Sequence, residues 1–283
     1  MAFGEKWKRR LLSRPDRASQ WLNLRRKDVA WLFRGRSFER RVPRLLAEHR
    51  WIFLVGCNNS GTTLIHDALA DTGQFSFMPH EGQRYTSVLK RAEKRGFQRV
   101  WSEYVGELQL DERHPTTDVP RLLFDWLGEL ALPLKPLILE KTTANAVRMR
   151  WLQRAFPGAA FLGIVRNGYA VVEGIKRKGG KTVVRGARHW RKVNEMMLED
   201  AEHLNRFLLV RYEDFVAAPR SELFRIAEFL DLRLDRIRAA RTSIQDMNAQ
   251  SISRLDEAEL RVITHEAGDC LERMGYARLV EAQ

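Results

Sequence analysis

The sequence predicts an α/β domain: a parallel sheet flanked by helices on both faces, preceded by a basic helical N-terminal extension. Three observations lead there. Short apolar runs at 51–56, 160–165 and 207–212 alternate with longer stretches of helical spacing. The first two runs are apolar throughout, as strands buried on both faces are. A glycine-bounded polar loop joins the first run to the first helical stretch, a strand–turn–helix unit typical of α/β folds. A length of 283 residues with 44% hydrophobic content suits one large domain plus an extension.

In chain order, residues 1–48 form the extension and 49–283 the domain. The extension reads as amphipathic helix broken at Pro15 and Pro43, with Trp, Leu and Phe recurring among its bases. Residues 1–50 hold fifteen Lys or Arg against five Asp or Glu, so ten of the thirteen net positive charges lie there. That asymmetry points to an anionic partner, such as a membrane phospholipid, an acidic glycan or a nucleic acid. No nucleic-acid recognition motif accompanies the charge, and no specific nucleic-acid partner is expected. Two readings of the arm stay open. It lies on a membrane headgroup layer, or it packs on its own domain with its bases solvated. No apolar run is long enough to span a bilayer and no signal-peptide core is present, so a cytoplasmic location is expected. Cys57 and Cys270 make neither a disulfide framework nor a metal cluster.

Within the domain, strands are expected at 51–56, 75–78, 136–140, 160–165 and 207–212. Helices are expected near 63–70, 84–107, 144–156, 168–177, 187–204, 219–231 and 256–274. A polar loop fills 108–120.

The first loop, Gly56-Cys57-Asn58-Asn59-Ser60-Gly61-Thr62-Thr63, has the spacing of a P-loop, with Thr62 where that motif has lysine. Glycines let the backbone curl so that N–H groups converge on a phosphate, and the following helix adds its positive dipole end. A nucleotide triphosphatase needs the lysine to reach the terminal phosphates, so its absence weighs against ATP or GTP hydrolysis.

Ser60-Gly61-Thr62-Thr63-Leu64 resembles the phosphosulfate loop of the sulfotransferases that use 3′-phosphoadenylyl sulfate (PAPS). Further segments resemble that family in the same order. Met78-Pro79-His80-Glu81-Gly82 lies where the family has its general base. Glu140-Lys141-Thr142-Thr143 is similar to the segment whose lysine approaches the sulfuryl group. Val165-Arg166-Asn167 resembles the 3′-phosphate motif. Val210-Arg211-Tyr212-Glu213-Asp214-Phe215 and Ser251-Ile252-Ser253-Arg254-Leu255 are similar to the segments after the last strand and before the final helix. The resemblance runs from about residue 51 to 276 and implies sulfuryl transfer from PAPS to a hydroxyl, with no metal. It implies Asn59, Ser60, Gly61, Thr62, Thr63, Arg166, Tyr212 and Arg254 around the nucleotide. It implies Glu81 as the base, with His80 second, and Lys141 as the charge stabiliser. A carboxylate or imidazole is what a hydroxyl nucleophile requires. Asn59 replaces the family's basic residue and Gly174 a serine eight residues after Arg166. Two alternatives therefore stand: a P-loop nucleotide kinase or NTPase, and a protein that binds the product 3′-phosphoadenosine 5′-phosphate (PAP) without turnover.

Overall fold

The computed structural model describes residues 17–92, 96–235 and 244–281. The arm continues as two helices, α1 (Arg17–Glu39) and α2 (Val42–Glu48), with Pro43 in the first turn of the second, where proline costs no hydrogen bond. Pro15 lies outside the described residues. Next come β1 (Arg50–Gly56), α3 (Thr62–Asp71), β2 (Phe75–Phe77), α4 (Val105–Leu108), α5 (Val119–Leu127), β3 (Leu137–Lys141), α6 (Met149–Ala155) and β4 (Ala160–Val165). The chain continues with α7 (Gly168–Gly179), α8 (Val183–Ala201), β5 (Phe207–Arg211), α9 (Tyr212–Ala217), α10 (Pro219–Phe229), α11 (Asn248–Ile252) and α12 (Glu257–Arg273).

The five strands form one parallel sheet in the order β2-β3-β1-β4-β5. Side chains of β1 alternate between two cores, as a period of two requires. Trp51, Phe53 and Val55 face Trp126, Trp151, Phe156 and Phe161. Ile52 and Leu54 face Ile65, Leu69, Leu162 and Ile226 on the other side. Both faces are covered, which is why β1 is apolar from Trp51 to Val55. The chain leaves central β1 for one edge, returns through β3, then crosses to β4 and β5. Crossings of this kind open a crevice at the carboxyl ends of the strands.

One expectation is corrected. The charged stretch 84–107 is not a continuous helix. Its described residues hold a 3₁₀ turn at Gly82–Arg84, another at Trp101–Tyr104, and the single turn α4. Helical charge spacing does not outweigh burial of the apolar side chains spread through the segment, where Tyr85, Leu89, Val100 and Trp101 enter the core. Helix α5 was not anticipated. Pro120, which suggests a loop, sits in its first turn.

Candidate active site at the carboxyl edge of the sheet

Register brings the ends of four strands together: Lys141 lies beside Leu54, Gly56 beside Ile164, and Arg211 beside Val165. The loop after β1 curls there. Gly56 has φ 143° and a Cβ on it would stand 2.4 Å from the Ile164 carbonyl oxygen. Gly61 has φ 93°, and a Cβ there would meet the Tyr212 ring at 2.7 Å. Only glycine fits either position. Gly61 opens α3 without a side-chain cap, which leaves the N-terminal N–H groups directed at the loop.

Asn59 has φ 64°, a left-handed backbone that asparagine tolerates better than a long basic residue does. Its side chain packs on α7 at Gly174, where a Cβ would lie 3.2 Å from Asn59 Cγ. The two departures from the resembled pattern are therefore neighbours in space. Arg99 reaches over the same residue, and its Nη1 donates to Asn59 Oδ1 at 3.3 Å. A cation thus stands at the loop, delivered from another segment.

Arg166, at the end of β4, is buried and held on three sides. Nε donates to Asn248 Oδ1 at 2.8 Å, Nη1 donates to the Asn59 carbonyl at 3.1 Å, and the guanidinium lies 4.3 Å from the Tyr212 ring centroid. Among the described residues, Arg166 Nη2, Asn59 Nδ2 and Ser60 Oγ are buried with no hydrogen-bond partner. Such donors are costly unless something accepts from them. Glu213 anchors the frame: it accepts from Asn167 N at 2.9 Å, Asn248 Nδ2 at 2.7 Å and Tyr276 Oη at 2.9 Å. Burial, and then the charge of Glu213, pushes the Tyr276 phenol up.

More positive charge gathers along α7. Partial burial and the nearby Arg177, Arg99 and Arg166 lower the Lys178 pKa. Arg254 lies 3.7 Å from Glu173, which also accepts from Arg177 at 2.7 Å. A field with this excess of cations attracts a polyanion.

On the opposite side of the loop, Lys141 Nζ donates to Thr63 Oγ1 at 3.0 Å. Asn58 Nδ2 reaches Thr143 Oγ1 at 3.5 Å, and Thr143 Oγ1 reaches Glu81 Oε1 at the same distance. Glu81 is half-buried, and its other oxygen accepts from Gln83 at 2.9 Å. The His80 ring stacks on Tyr85, with centroids 6.5 Å apart. Glu140 sits beneath Glu81, fully buried. Its Oε1 accepts from Gly82 N at 2.8 Å and from the Thr142 hydroxyl, and its Oε2 accepts from Asn145 Nδ2 at 2.8 Å. Burial pushes its pKa up to about 7 against these stabilising bonds. Asn58 is oriented by His189. Ser102 N–H donates to Nδ1 at 3.3 Å, so Nε2–H donates to Asn58 Oδ1 at 3.3 Å. Burial drives the His189 pKa down to about 3, leaving a neutral ring.

The loop residues, Arg166, Tyr212, Lys141 and Glu81 thus gather at the carboxyl ends of the strands, and Arg254 reaches Glu173 in the middle of α7. His80, the residue before Glu81, stacks on Tyr85. Arg99, Glu140, His189 and Asn248 are additions that sequence reasoning missed. Glu140 alone had a signal, a carboxylate closing a buried strand. Among the described residues, no group of three or more His, Cys, Asp or Glu is placed to hold a metal.

Comparison with a solved structure agrees with this architecture. A sulfotransferase from Mycobacterium avium, STF9, superposes with a TM-score of 0.52 at 13% identity, covering 88% of this chain and 83% of its own. The sulfotransferase domain of a Synechococcus PCC 7002 olefin synthase is 18% identical, with TM-score 0.46 over 80% of this chain and 94% of its own. No curated protein matches. The model described as "Sulfotransferase family" matches residues 52–236, from β1 through α10, and the chain belongs to the sulfotransferase family.

Proposed function

We propose that the protein transfers a sulfuryl group from PAPS to an acceptor hydroxyl. One observation carries the reading: three buried donors without acceptors, on Arg166, Asn59 and Ser60, meet at a helix-capping loop. A nucleotide with phosphates at two positions gives all three acceptors and suits the surplus of cations.

The bound donor supplies an electrophilic sulfur and a phosphate leaving group. The chain's residues do the rest. Loop N–H groups with Thr62 and Thr63 hold the 5′-phosphate, and Arg166 holds the 3′-phosphate with Arg254 and Lys178 close by. Tyr212 braces both Gly61 and Arg166. Glu81 accepts the acceptor's proton as the new oxygen–sulfur bond forms and the bond from sulfur to the bridging oxygen breaks. His80 is the second candidate for that proton. Lys141 and Arg99 offset the negative charge that grows on the departing phosphate. Rate acceleration then comes from positioning and preorganised charge, with no step assigned to a metal. Glu140 is a positioning residue that fixes Glu81 through the Gly82 N–H. The same reading takes residues 49–283 as the catalytic domain of a cytoplasmic protein and 1–48 as an extension. It takes a glycan or glycolipid hydroxyl as acceptor.

The test is PAP release from PAPS over a panel of glycan, glycolipid and alcohol acceptors, without added Mg²⁺. Turnover is expected, and Glu81→Gln should lower kcat by about 10²–10⁴-fold with PAP affinity kept. Asn59 in place of a basic residue favours a second reading, PAP binding without chemistry. PAP binding with no turnover on any acceptor would establish that one. Mg²⁺-dependent ATP binding without PAP binding would instead make the protein a kinase or NTPase.

A further inference from the structure

Helix α1 is held to the domain by one face only. Trp31 packs edge-on against Phe124 with centroids 5.3 Å apart, and Phe38 does the same at 5.3 Å. Lys27 is buried and donates to the carbonyls of Tyr85 at 3.0 Å and Asp125 at 2.6 Å, with Glu129 at 2.8 Å. Arg121 pairs with Asp28 at 2.6 Å. This inner face satisfies the packing an amphipathic helix needs.

The outer face remains apolar as well. Of the nine large hydrophobic side chains exposed among the described residues, five belong to α1: Trp21, Leu22, Val29, Leu32 and Phe33, the last two 81% and 85% exposed. They are not scattered. Leu22, Val29, Leu32 and Phe33 recur three, four and seven positions apart, the spacing of one helical stripe. Arg25, Arg26 and Arg36 are exposed in the same stripe, and Arg25 lies 5.3 Å from the Trp21 ring centroid. The helix has two acids, Asp28 and Glu39, and Asp28 is engaged by Arg121.

We infer that this outer face docks on an anionic phospholipid bilayer surface. Apolar side chains interleaved with arginines suit the headgroup boundary, where the aliphatic and indole groups enter the acyl edge and the guanidiniums stay among phosphates. A second copy of the chain is a poor fit, because pairing this face with itself sets arginines against arginines. A nucleic acid answers the charge but leaves Leu32 and Phe33 in water. The preceding sequence continues the composition, with Lys6, Lys8, Arg9 and Arg10 around Trp7. The inference is independent of the sulfuryl-transfer reading. Should both hold, Lys27 ties the docked helix to Tyr85, four residues beyond Glu81, which sets the acceptor side of the site near lipid.

The experiment is co-sedimentation of the full chain with phosphatidylcholine vesicles and with vesicles containing about 30% phosphatidylglycerol. Partition to the anionic vesicles should exceed that to neutral ones about tenfold or more and fall as salt rises. The double variant Leu32→Ser/Phe33→Ser should lower it about tenfold, with thermal unfolding unchanged because neither side chain packs on the domain. Equal binding to both vesicle types, or binding that the double variant leaves intact, overturns the inference. So does a dimer in sedimentation velocity that the double variant dissolves in a protein that ignores vesicles. Duplex DNA retained in preference to anionic vesicles overturns it too.

Discussion

The guanidinium of Arg166 is fixed by Asn248, by the Asn59 carbonyl and by the Tyr212 ring, and one of its nitrogens is left with no acceptor. A side chain held this way loses little entropy when an anion arrives, and its planar fork is not replaced by an ammonium. Arg166→Lys should therefore weaken PAP binding about ten- to a hundredfold in calorimetry, although charge is conserved. Arg99 contacts the loop through Asn59, and the proposed transfer assigns it to the charge that develops on the departing phosphate. Arg99→Ala should lower kcat about 10²-fold in the PAP-release assay, with a smaller effect on PAP affinity. Glu140 gives a prediction of a different kind. Burial raises its pKa from 4.5 to about 7, so the folded protein holds this proton more tightly than the unfolded chain. Its stabilising contribution is full below about pH 4.5 and is lost as pH rises to about 7. Glu140→Gln should flatten that part of the stability–pH profile, measured by urea unfolding at successive pH values.

At the scale of elements, the site is made from the segments that leave the strand ends: the loop after β1, Lys141 through Thr143 after β3, Arg166 after β4 and Tyr212 after β5. These segments were legible because strand ends in a buried parallel sheet are marked by an abrupt change from apolar to polar residues. The loop was legible because glycine spacing is dictated by backbone geometry, seen in the close approach of Gly56 to Ile164. Arg99, Asn248 and His189 were not legible. Each comes from outside the motif segments and acquires its role only by a tertiary contact, and nothing in a local stretch of sequence encodes that. The segment 84–107 misled for the converse reason: its charges sit at helical spacing while its apolar residues answer to a core the sequence does not display. The strands themselves carry the stability on which these loops depend. Trp51 on β1 is buried against Trp126 and Phe156, with ring centroids 5.2 and 4.9 Å away. Trp51→Ala should cost about 3–5 kcal/mol in urea unfolding, and PAP should restore part of that loss by binding only the folded state.

Across the whole molecule, charge and fold divide the work. Ten of the thirteen net positive charges lie in the first fifty residues, and the described part of that arm turns arginines and apolar side chains outward together. The sheet domain is close to neutral, yet it concentrates cations at one edge of the sheet around the loop and α7. No helix among the described residues is long and apolar enough to cross a membrane. The central claim, that the crevice is a site for a nucleotide phosphorylated at both ends of its ribose, is tested most directly by calorimetric titration with PAP and with ADP. Both titrations are run with and without Mg²⁺, on the parent protein and on Arg166→Ala. Metal-independent PAP binding, much weaker ADP binding, and loss of the PAP preference in the variant are expected. Equal affinity for PAP and ADP, or PAP binding that survives removal of Arg166, would contradict the claim.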